Sequence, residues 1–393
     1  MNTEIILKRG KHPRIANGHP WIYGNEIDRI KSEGENEAGA IVDVIDDRGK
    51  FVGLGYFNPK SQIAVRLLSR NRNEEINEDF FRRRILTCHE YRKKIGYSEN
   101  FRLVFGEGDF LPALIIDKFK DVFVIQTLSL GIDRWKEVIV SILKKDFSAT
   151  KIYERNDVPV RKLEGLEEQK GFLSEPFPTK FEIEEQGVKF QIDVEQGQKT
   201  GFFLDQKENR LMLQNISAGA EVLDCFCYTG SFAMFAAKFG AKKITALDAS
   251  EEAIQLTKAN AALNGFESVF DYHVGNAFDV LPQWVKDKKN FDIVILDPPA
   301  FTKSRSGIDS ASRGYKEINL RAMKLIRSGG FLLTFSCSHF MDPSMFFDVV
   351  SQAATDAGKT IRQVSFLSQA KDHPVVWNIP ETNYLKGFLL QVM

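Results

Sequence analysis

The stretch 221–248 constrains this 393-residue chain more than any other. It reads Glu-Val-Leu-Asp-Cys-Phe-Cys-Tyr-Thr-Gly-Ser-Phe, then an apolar helical segment, then Ile-Thr-Ala-Leu-Asp. An apolar run, Val222 and Leu223, ends at Asp224. A turn containing Gly230 follows, and Phe232, Phe235, Ala236 and Phe239 then recur at helical spacing. Gly240 supplies the C-terminal stop of that helix. A second apolar strand over 244–247 ends on Asp248. The result is a strand–loop–helix–strand unit with an acid at the C-terminal edge of each strand. In an open parallel sheet that edge binds ligands, and an acid about 20 residues after the first turn suits a ribose diol.

The unit departs from the dinucleotide fingerprint. Gly-x-Gly-x-x-Gly is absent, and Phe226 and Tyr228 stand where glycines would let a pyrophosphate approach the backbone. The site therefore suits a nucleoside without phosphates, and S-adenosylmethionine is the common ligand of that description. The competing reading is a buried strand–helix unit that holds no ligand.

The length predicts two or three domains. Residues 1–72 read as short strands separated by turns, with strands over 41–45, 51–56 and 63–68 and a turn at Gly18-His19-Pro20-Trp21 leading into a short helix. Gly53 and Gly55 suggest close backbone approach. A small β-barrel with a basic rim is the expected outcome. Residues 73–178 predict an α+β middle domain: a helix over 73–96, strands over 101–105, 114–116, 122–127 and 151–154, and a helix over 132–143. The stretch 164–178, with Pro176 and Pro178, reads as a linker. Residues 179–393 open with a hairpin over Gln186-Gly187 and become α/β from about 195. Helices are expected from Ser250-Glu251-Glu252 to Asn264-Gly265 and over 315–326, the latter stopped by Gly329-Gly330. Strands are expected over 270–274, 291–296 and 331–335.

Lys and Arg together number 53, as do Asp and Glu, so the net charge is zero. That argues against indiscriminate coating of nucleic acid but leaves local basic patches. Lys60, Arg66, Arg70 and Arg72 form one without an acid among them. Arg82-Arg83-Arg84 and Arg92-Lys93-Lys94 share a predicted helix. Residues 302–327 hold seven basic and two acidic side chains. Such runs are usually solvated faces; beside a nucleoside site they point to RNA. Four cysteines, Cys88, Cys225, Cys227 and Cys337, make no disulfide framework in a chain this long, and a reducing cytoplasm is the expected compartment. No metal site is expected, because Cys225 and Cys227 are too close in sequence for a usual zinc pair. No signal-peptide pattern or membrane-spanning apolar run is present.

Three expected strands end in reactive groups: Asp248, Asp297 and Cys337. In Asp297-Pro298-Pro299 the prolines remove N–H donors and stiffen the backbone, which holds Asp297 and the local carbonyls at the site edge. Cys337 suits nucleophilic catalysis on a pyrimidine: a thiolate adding to C6 turns C5 into an enamine carbon able to attack a sulfonium methyl. If the chain stays extended, His339 shares a face with Cys337. The bland reading of Cys337 is a small cysteine packed at a strand end.

Asp224-Cys225-Phe226-Cys227-Tyr228-Thr229-Gly230, Asp297-Pro298-Pro299-Ala300-Phe301 and Ser336-Cys337-Ser338-His339 resemble the motifs of class I RNA (cytosine-5) methyltransferases. More narrowly, they resemble the bacterial large-subunit ribosomal RNA enzymes with an N-terminal PUA domain. Gly18-His19-Pro20-Trp21-Ile22-Tyr23 and Gly55-Tyr56-Phe57-Asn58-Pro59 resemble the PUA module. Arg102-Leu103-Val104-Phe105-Gly106-Glu107, Leu111-Pro112 and Tyr153-Glu154-Arg155 resemble the middle domain. Gln198-Lys199-Thr200-Gly201-Phe202-Phe203-Leu204-Asp205-Gln206 is the most specific match.

The resemblance implies an α/β chain with a Rossmann-like class I methyltransferase domain at the C-terminus, a PUA-like β-barrel at the N-terminus and an α+β domain between. It implies S-adenosyl-L-methionine as cofactor and ribosomal RNA as partner. Asp224, Phe226, Tyr228, Thr229 and Gly230 would hold the methionine end. Asp248, with Ala249 beside it, would bind the ribose. Asn276 would lie beside the adenine, where the family usually has Asp. Gln198, Lys199 and Thr200 would line the pocket. Asp297 would bond the cytosine ring and Cys337 would be the nucleophile. Ala300 and Phe301 follow the prolines where many cytosine-5 enzymes carry a release cysteine, so His339 or water is left to remove the C5 proton. Related enzymes are often dimers, and Phe119, Phe123 and Trp135 could serve a two-fold contact or belong to the core. Two other readings remain: N-methylation of guanine or adenine, and an RNA-binding assembly factor without turnover.

Overall fold

The computed structural model describes residues 3–10, 13–32, 37–302 and 304–393. Lys303, counted above among the basic residues, lies outside them. The chain forms two compact units. One comprises Met1–Phe181, Ile192–Leu204 and Lys371–Thr382; the other comprises Glu182–Gln191, Asp205–Ala370 and Asn383–Met393. Among the described residues no helix is long and apolar enough to cross a membrane.

The first unit holds two sheets. One has the strand order Trp21–Ile22, Val65–Ser69, Phe51–Phe57, Ile41–Ile45, Glu4–Leu7, Ile27–Lys31, built on Ile5, Leu7, Ile22, Val42, Val44, Phe57 and Val65. The two glycines act as expected. A Cβ at Gly55 would fall 2.3 Å from the carbonyl oxygen of Arg66, and one at Gly53 2.7 Å from that of Ser69. The turn at Gly18 leads into the two-residue strand Trp21–Ile22 rather than a helix, because Trp21 pairs with Arg66 across the sheet.

The other sheet runs Gln169–Phe172, Lys151–Asn156, Val122–Thr127, Leu114–Phe119, Phe101–Phe105. The helix Glu78–Lys94 packs on it, capped by the Asn77 side chain, which accepts the Phe80 N–H. The helix expected over 132–143 is broken into Leu130–Asp133 and Lys136–Asp146. Phe119 and Phe123 are fully buried and belong to the core, while Trp135 is partly buried and packs 4.7 Å from Phe81. The stretch expected to be a linker is structured, since Gln169–Phe172 pairs antiparallel with Lys151–Asn156. Within that stretch Glu164 is buried and accepts hydrogen bonds from Asn58, Ser61 and Arg66. Composition hides this because the partners lie about a hundred residues away in sequence. Two basic residues therefore leave the expected RNA-facing patches: Arg66 is buried on Glu164, and Arg92 on Asp109.

The second unit is built on a seven-stranded sheet. Its strands are β1 (Glu221–Cys225), β2 (Lys243–Asp248), β3 (Phe270–Val274), β4 (Phe291–Leu296), β5 (Ile326–Ser336), β6 (Ile361–Ser368) and β7 (Lys386–Val392), in the order β3-β2-β1-β4-β5-β7-β6. The first five are parallel; β7 runs antiparallel to β5 and β6. The helices are α1 (Ser231–Lys238), α2 (Glu251–Asn264), α3 (Ala277–Lys286), α4 (Ile308–Leu325) and α5 (Pro343–Ala357). Local signals set α2 as expected: the Ser250 hydroxyl accepts the Ala253 N–H, and Gly265 ends the helix with φ +70°. Helix α4 starts earlier than expected, and Gly329-Gly330 lie inside β5. A Cβ at Gly330 would fall 2.5 Å from the Asp292 carbonyl, so this glycine marks a close crossing of β4, not a helix stop. The strand order reverses between β1 and β4, which opens a crevice at their carboxyl ends.

Replacing Glu164 by Ala leaves the Arg66 guanidinium buried without its carboxylate. Urea unfolding should show a loss of about 3–5 kcal/mol. A loss below about 1 kcal/mol would contradict the assignment.

Candidate active site

The loop after β1 is bent into the left-handed region three times: φ is +61° at Phe226, +49° at Tyr228 and +69° at Gly230. A side chain there costs roughly 1–3 kcal/mol per residue, so the surroundings must impose the bend. Four anchors do so. The Asp224 carboxylate accepts the Ala233 N–H in the first turn of α1 at 3.1 Å. The Asp248 carboxylate accepts the Tyr228 N–H at 3.0 Å. From α2, the Thr257 hydroxyl reaches the Tyr228 carbonyl at 3.0 Å, and the Asn260 amide donates to the Thr229 carbonyl at 2.9 Å. A Cβ on Gly230 would fall 2.6 Å from the Thr257 methyl, so only glycine fits where α2 passes the loop.

Asp248 is half-buried at the end of β2. Its second oxygen accepts the Ser250 N–H at 2.9 Å, so two backbone donors fix the carboxylate while each oxygen keeps a lone pair. Ala249 beside it is exposed. Asn276 is exposed and caps α3, its side-chain carbonyl accepting the Phe278 N–H at 3.0 Å. Asp224 is buried. Burial pushes its carboxyl well above the ordinary carboxylate range; the Ala233 N–H opposes the rise, and the charges of Asp297 and Asp248 add to it. Burial likewise raises the Cys225 and Cys227 thiols well above normal, which leaves them as packing groups.

A second cluster sits at the ends of β4 and β5. Asp297 accepts a hydrogen bond from the Gln206 amide at 2.9 Å. Gln206 is held in turn by Asn209, whose amide donates to its side-chain carbonyl at 2.6 Å and lies 3.0 Å from the Ser368 carbonyl. The Cys337 thiol, partly exposed, donates to the Pro298 carbonyl at 3.8 Å. The two motifs singled out in sequence therefore meet here. The condition set for His339 is not met: β5 ends at Ser336, and His339 lies in an exposed turn with its ring against Phe340. Its ring makes no hydrogen bond among the described residues. Phe301 packs its ring on Tyr315 at 4.5 Å and near Phe278 at 5.6 Å.

Gln198, Lys199 and Thr200 belong to the first unit. There Thr200 is buried and donates to Asp117 at 2.6 Å, while Gln198 and Lys199 are exposed and the Lys199 ammonium sits over the Phe203 ring. Gln206 ends a stretch that the resemblance assigns to the pocket, but its bond to Asp297 was not anticipated; nor were Asn209, Thr257 and Asn260 as site residues. The signal for the last two was available: polar side chains three apart on the inward face of an otherwise amphipathic helix.

A half-buried carboxylate fixed by two amides suits a ribose diol. A buried carboxyl at the mouth of a helix suits a cationic amino-acid end. Phe226, packed against the core, and the half-buried Tyr228 stand where a phosphate-binding loop would have glycines. The donor set thus fits S-adenosylmethionine. Residues 167–390 match the S-adenosylmethionine-dependent methyltransferase family, and residues 5–70 match the PUA-like domain family. The chain belongs to that methyltransferase family. It is 41% identical to ribosomal RNA large subunit methyltransferase I of Shewanella denitrificans, over 100% of both chains. It is 38% identical to the Klebsiella pneumoniae protein of the same name, over 99% of this chain and 98% of that one. Among solved structures, a Streptococcus mutans chain classed with the S-adenosylmethionine-dependent methyltransferases superposes with a TM-score of 0.83, over 99% of each chain at 21% identity. A methyltransferase-class chain complexed with SAH superposes at 0.85, also over 99% of each chain at 21% identity. These two show a shared fold. The cofactor of this enzyme is S-adenosylmethionine.

The raised Asp224 carboxyl gives a signed stability prediction. An acid whose folded pKa exceeds its unfolded value destabilises the fold progressively as pH rises from the ordinary carboxylate range through the folded value. Asp224→Asn keeps an acceptor for the Ala233 N–H and removes the charge. Its melting temperature relative to wild type, without cofactor, should therefore rise between pH 5 and pH 8, while cofactor affinity falls. A melting difference that does not change with pH contradicts the burial argument.

Proposed function

We propose that this enzyme methylates carbon 5 of a cytosine in large-subunit ribosomal RNA, with Cys337 as the nucleophile. The observation that carries the reading is the Cys337 thiol on the Pro298 carbonyl, one residue from Asp297. The Cys337 thiolate adds to C6 of the base. Asp297, held by Gln206, bonds the cytosine ring and orients it. Carbon 5 then takes the methyl group, loses its proton, and the thiolate is expelled. Bound S-adenosylmethionine supplies the methyl group as an electrophilic sulfonium. Asp224, Phe226, Tyr228, Thr229 and Gly230 would hold its amino-acid end, Asp248 and Ala249 its ribose, and Asn276 the edge of its adenine. Gln198, Lys199 and Thr200 are proposed as further cofactor residues, on the resemblance alone. His339, exposed in its turn, or a water would take the C5 proton. A ribosomal RNA substrate would put the reaction in the cytoplasm.

N-methylation of an amino group is disfavoured by Phe301. In that chemistry the ring after the prolines must stack on the base, and here it is packed on Tyr315 and Phe278.

RNA containing 5-fluorocytosine at the target should trap a covalent adduct on Cys337, since fluorine cannot leave as a proton does. Cys337→Ala should lose trapping and turnover with cofactor affinity unchanged, and Cys225→Ala should still trap. Robust methylation by the Cys337→Ala protein would exclude covalent catalysis.

Arg305 and Arg313 are exposed and form no ion pair among the described residues. If they bind phosphate, replacing either by Ala should weaken RNA binding and reduce the log–log salt slope by about 1. An unchanged slope places the RNA elsewhere.

A further inference from the structure

Lys386, the first residue of β7, is buried, and the proposed mechanism has no use for it. It pairs directly across the sheet with Ser336, the last residue of β5. Its ammonium donates to the Ser338 carbonyl at 2.7 Å, so it brackets Cys337 from both neighbours in sequence. Among the described residues no carboxylate lies within 4 Å of it. A buried ammonium with a single carbonyl partner is expensive, since burial penalises the charge and no carboxylate in contact offsets it. The acidic groups that act on it electrostatically are Cys337 and, less strongly, Asp342. Asp342 is committed elsewhere, capping α5 through the Met345 N–H and accepting from Ser344. Of the two, the thiol acts on the ammonium more strongly.

We propose that the Lys386 ammonium is the counter-ion of the Cys337 thiolate, acting as a positioning residue that keeps the nucleophile ionised at neutral pH. The inference rests on the reading of Cys337 as the nucleophile. Three other titratable groups bear on the balance. Asp297, next to the proline whose carbonyl meets the thiol, opposes ionisation. Tyr315, whose hydroxyl bonds Ser338 and whose own ionisation is held up by burial, stays neutral. Asp342 draws on the same ammonium. Burial lowers the lysine to about 8, which still leaves it mostly protonated at pH 7.

The test is the rate at which iodoacetamide alkylates Cys337 in the full-length protein, followed by peptide mass spectrometry across pH. The wild-type midpoint should fall below the ordinary thiol value of about 8.5. K386M should move it up by about one unit, a roughly tenfold slower reaction at pH 7, and K386R should stay near wild type. A wild-type midpoint at or above about 8.5 overturns the proposal without any variant, and so does an equal midpoint in wild type and K386M. Trapping with 5-fluorocytosine RNA separates this from the nucleophile reading. Normal trapping with an unshifted midpoint removes the role of Lys386 and leaves the nucleophile. A shifted midpoint without trapping keeps the ion pair and removes the nucleophile.

Discussion

The left-handed loop between β1 and α1 is the constraint on which the rest of the site depends. Two of its three left-handed residues carry aromatic side chains, so the backbone holds a shape that their own sterics oppose. It persists because Asp224, Asp248, Thr257 and Asn260 each take one of the polar groups near the bend. Asn260 is also tied to the hairpin strand Val188–Asp193, its carbonyl accepting the Gln191 N–H at 2.8 Å. The bend is therefore set by β1, β2, α2 and the hairpin together. The same aromatic residues that make it costly replace the glycines that a pyrophosphate-binding loop needs for close backbone approach, which suits the crevice to a nucleoside.

The reacting centre is built by a different device on the same sheet edge. Strands β4 and β5 are parallel neighbours, and each continues directly into its motif. Asp297 follows Leu296, and Cys337 follows Ser336, so the register of two strands sets the separation of acid and thiol. The prolines after Asp297 remove backbone donors from that edge and leave the Pro298 carbonyl as the partner of the thiol. Gln206 fixes the carboxylate from outside the sheet, and Lys386 reaches in from the antiparallel strand. A sheet with β7 missing would keep the acid and the thiol but lose the buried Lys386 ammonium.

How much of this was legible in sequence follows from the range of each interaction. The ends of α2 could be read because their signals are local: Ser250 bonds three residues on, and Gly265 sits at the stop. The strand ends at Asp248, Asp297 and Cys337 could be read because apolar runs stop at polar residues. Glu164 could not, because its partners are supplied by strands near residue 60. Arg66 looked like a surface cation for the same reason. Gln206 stood inside a recognised stretch, yet its bond to Asp297 spans 91 residues. His339 was placed by assuming that an extended chain continues, and β5 ends before it does. Lys386 gave no signal at all, since an isolated lysine opening a strand is ordinarily a solvated one.

The central claim is that this sheet edge transfers a methyl group to carbon 5 of a cytosine. The most direct measurement is the identity of the product. Purified enzyme, large-subunit ribosomal RNA from cells lacking it and isotope-labelled S-adenosylmethionine should be incubated, and the RNA digested to nucleosides for mass spectrometry. The account predicts the label in 5-methylcytidine and at a single site. Label in an N-methylated guanosine or adenosine, or none in the RNA, would contradict it.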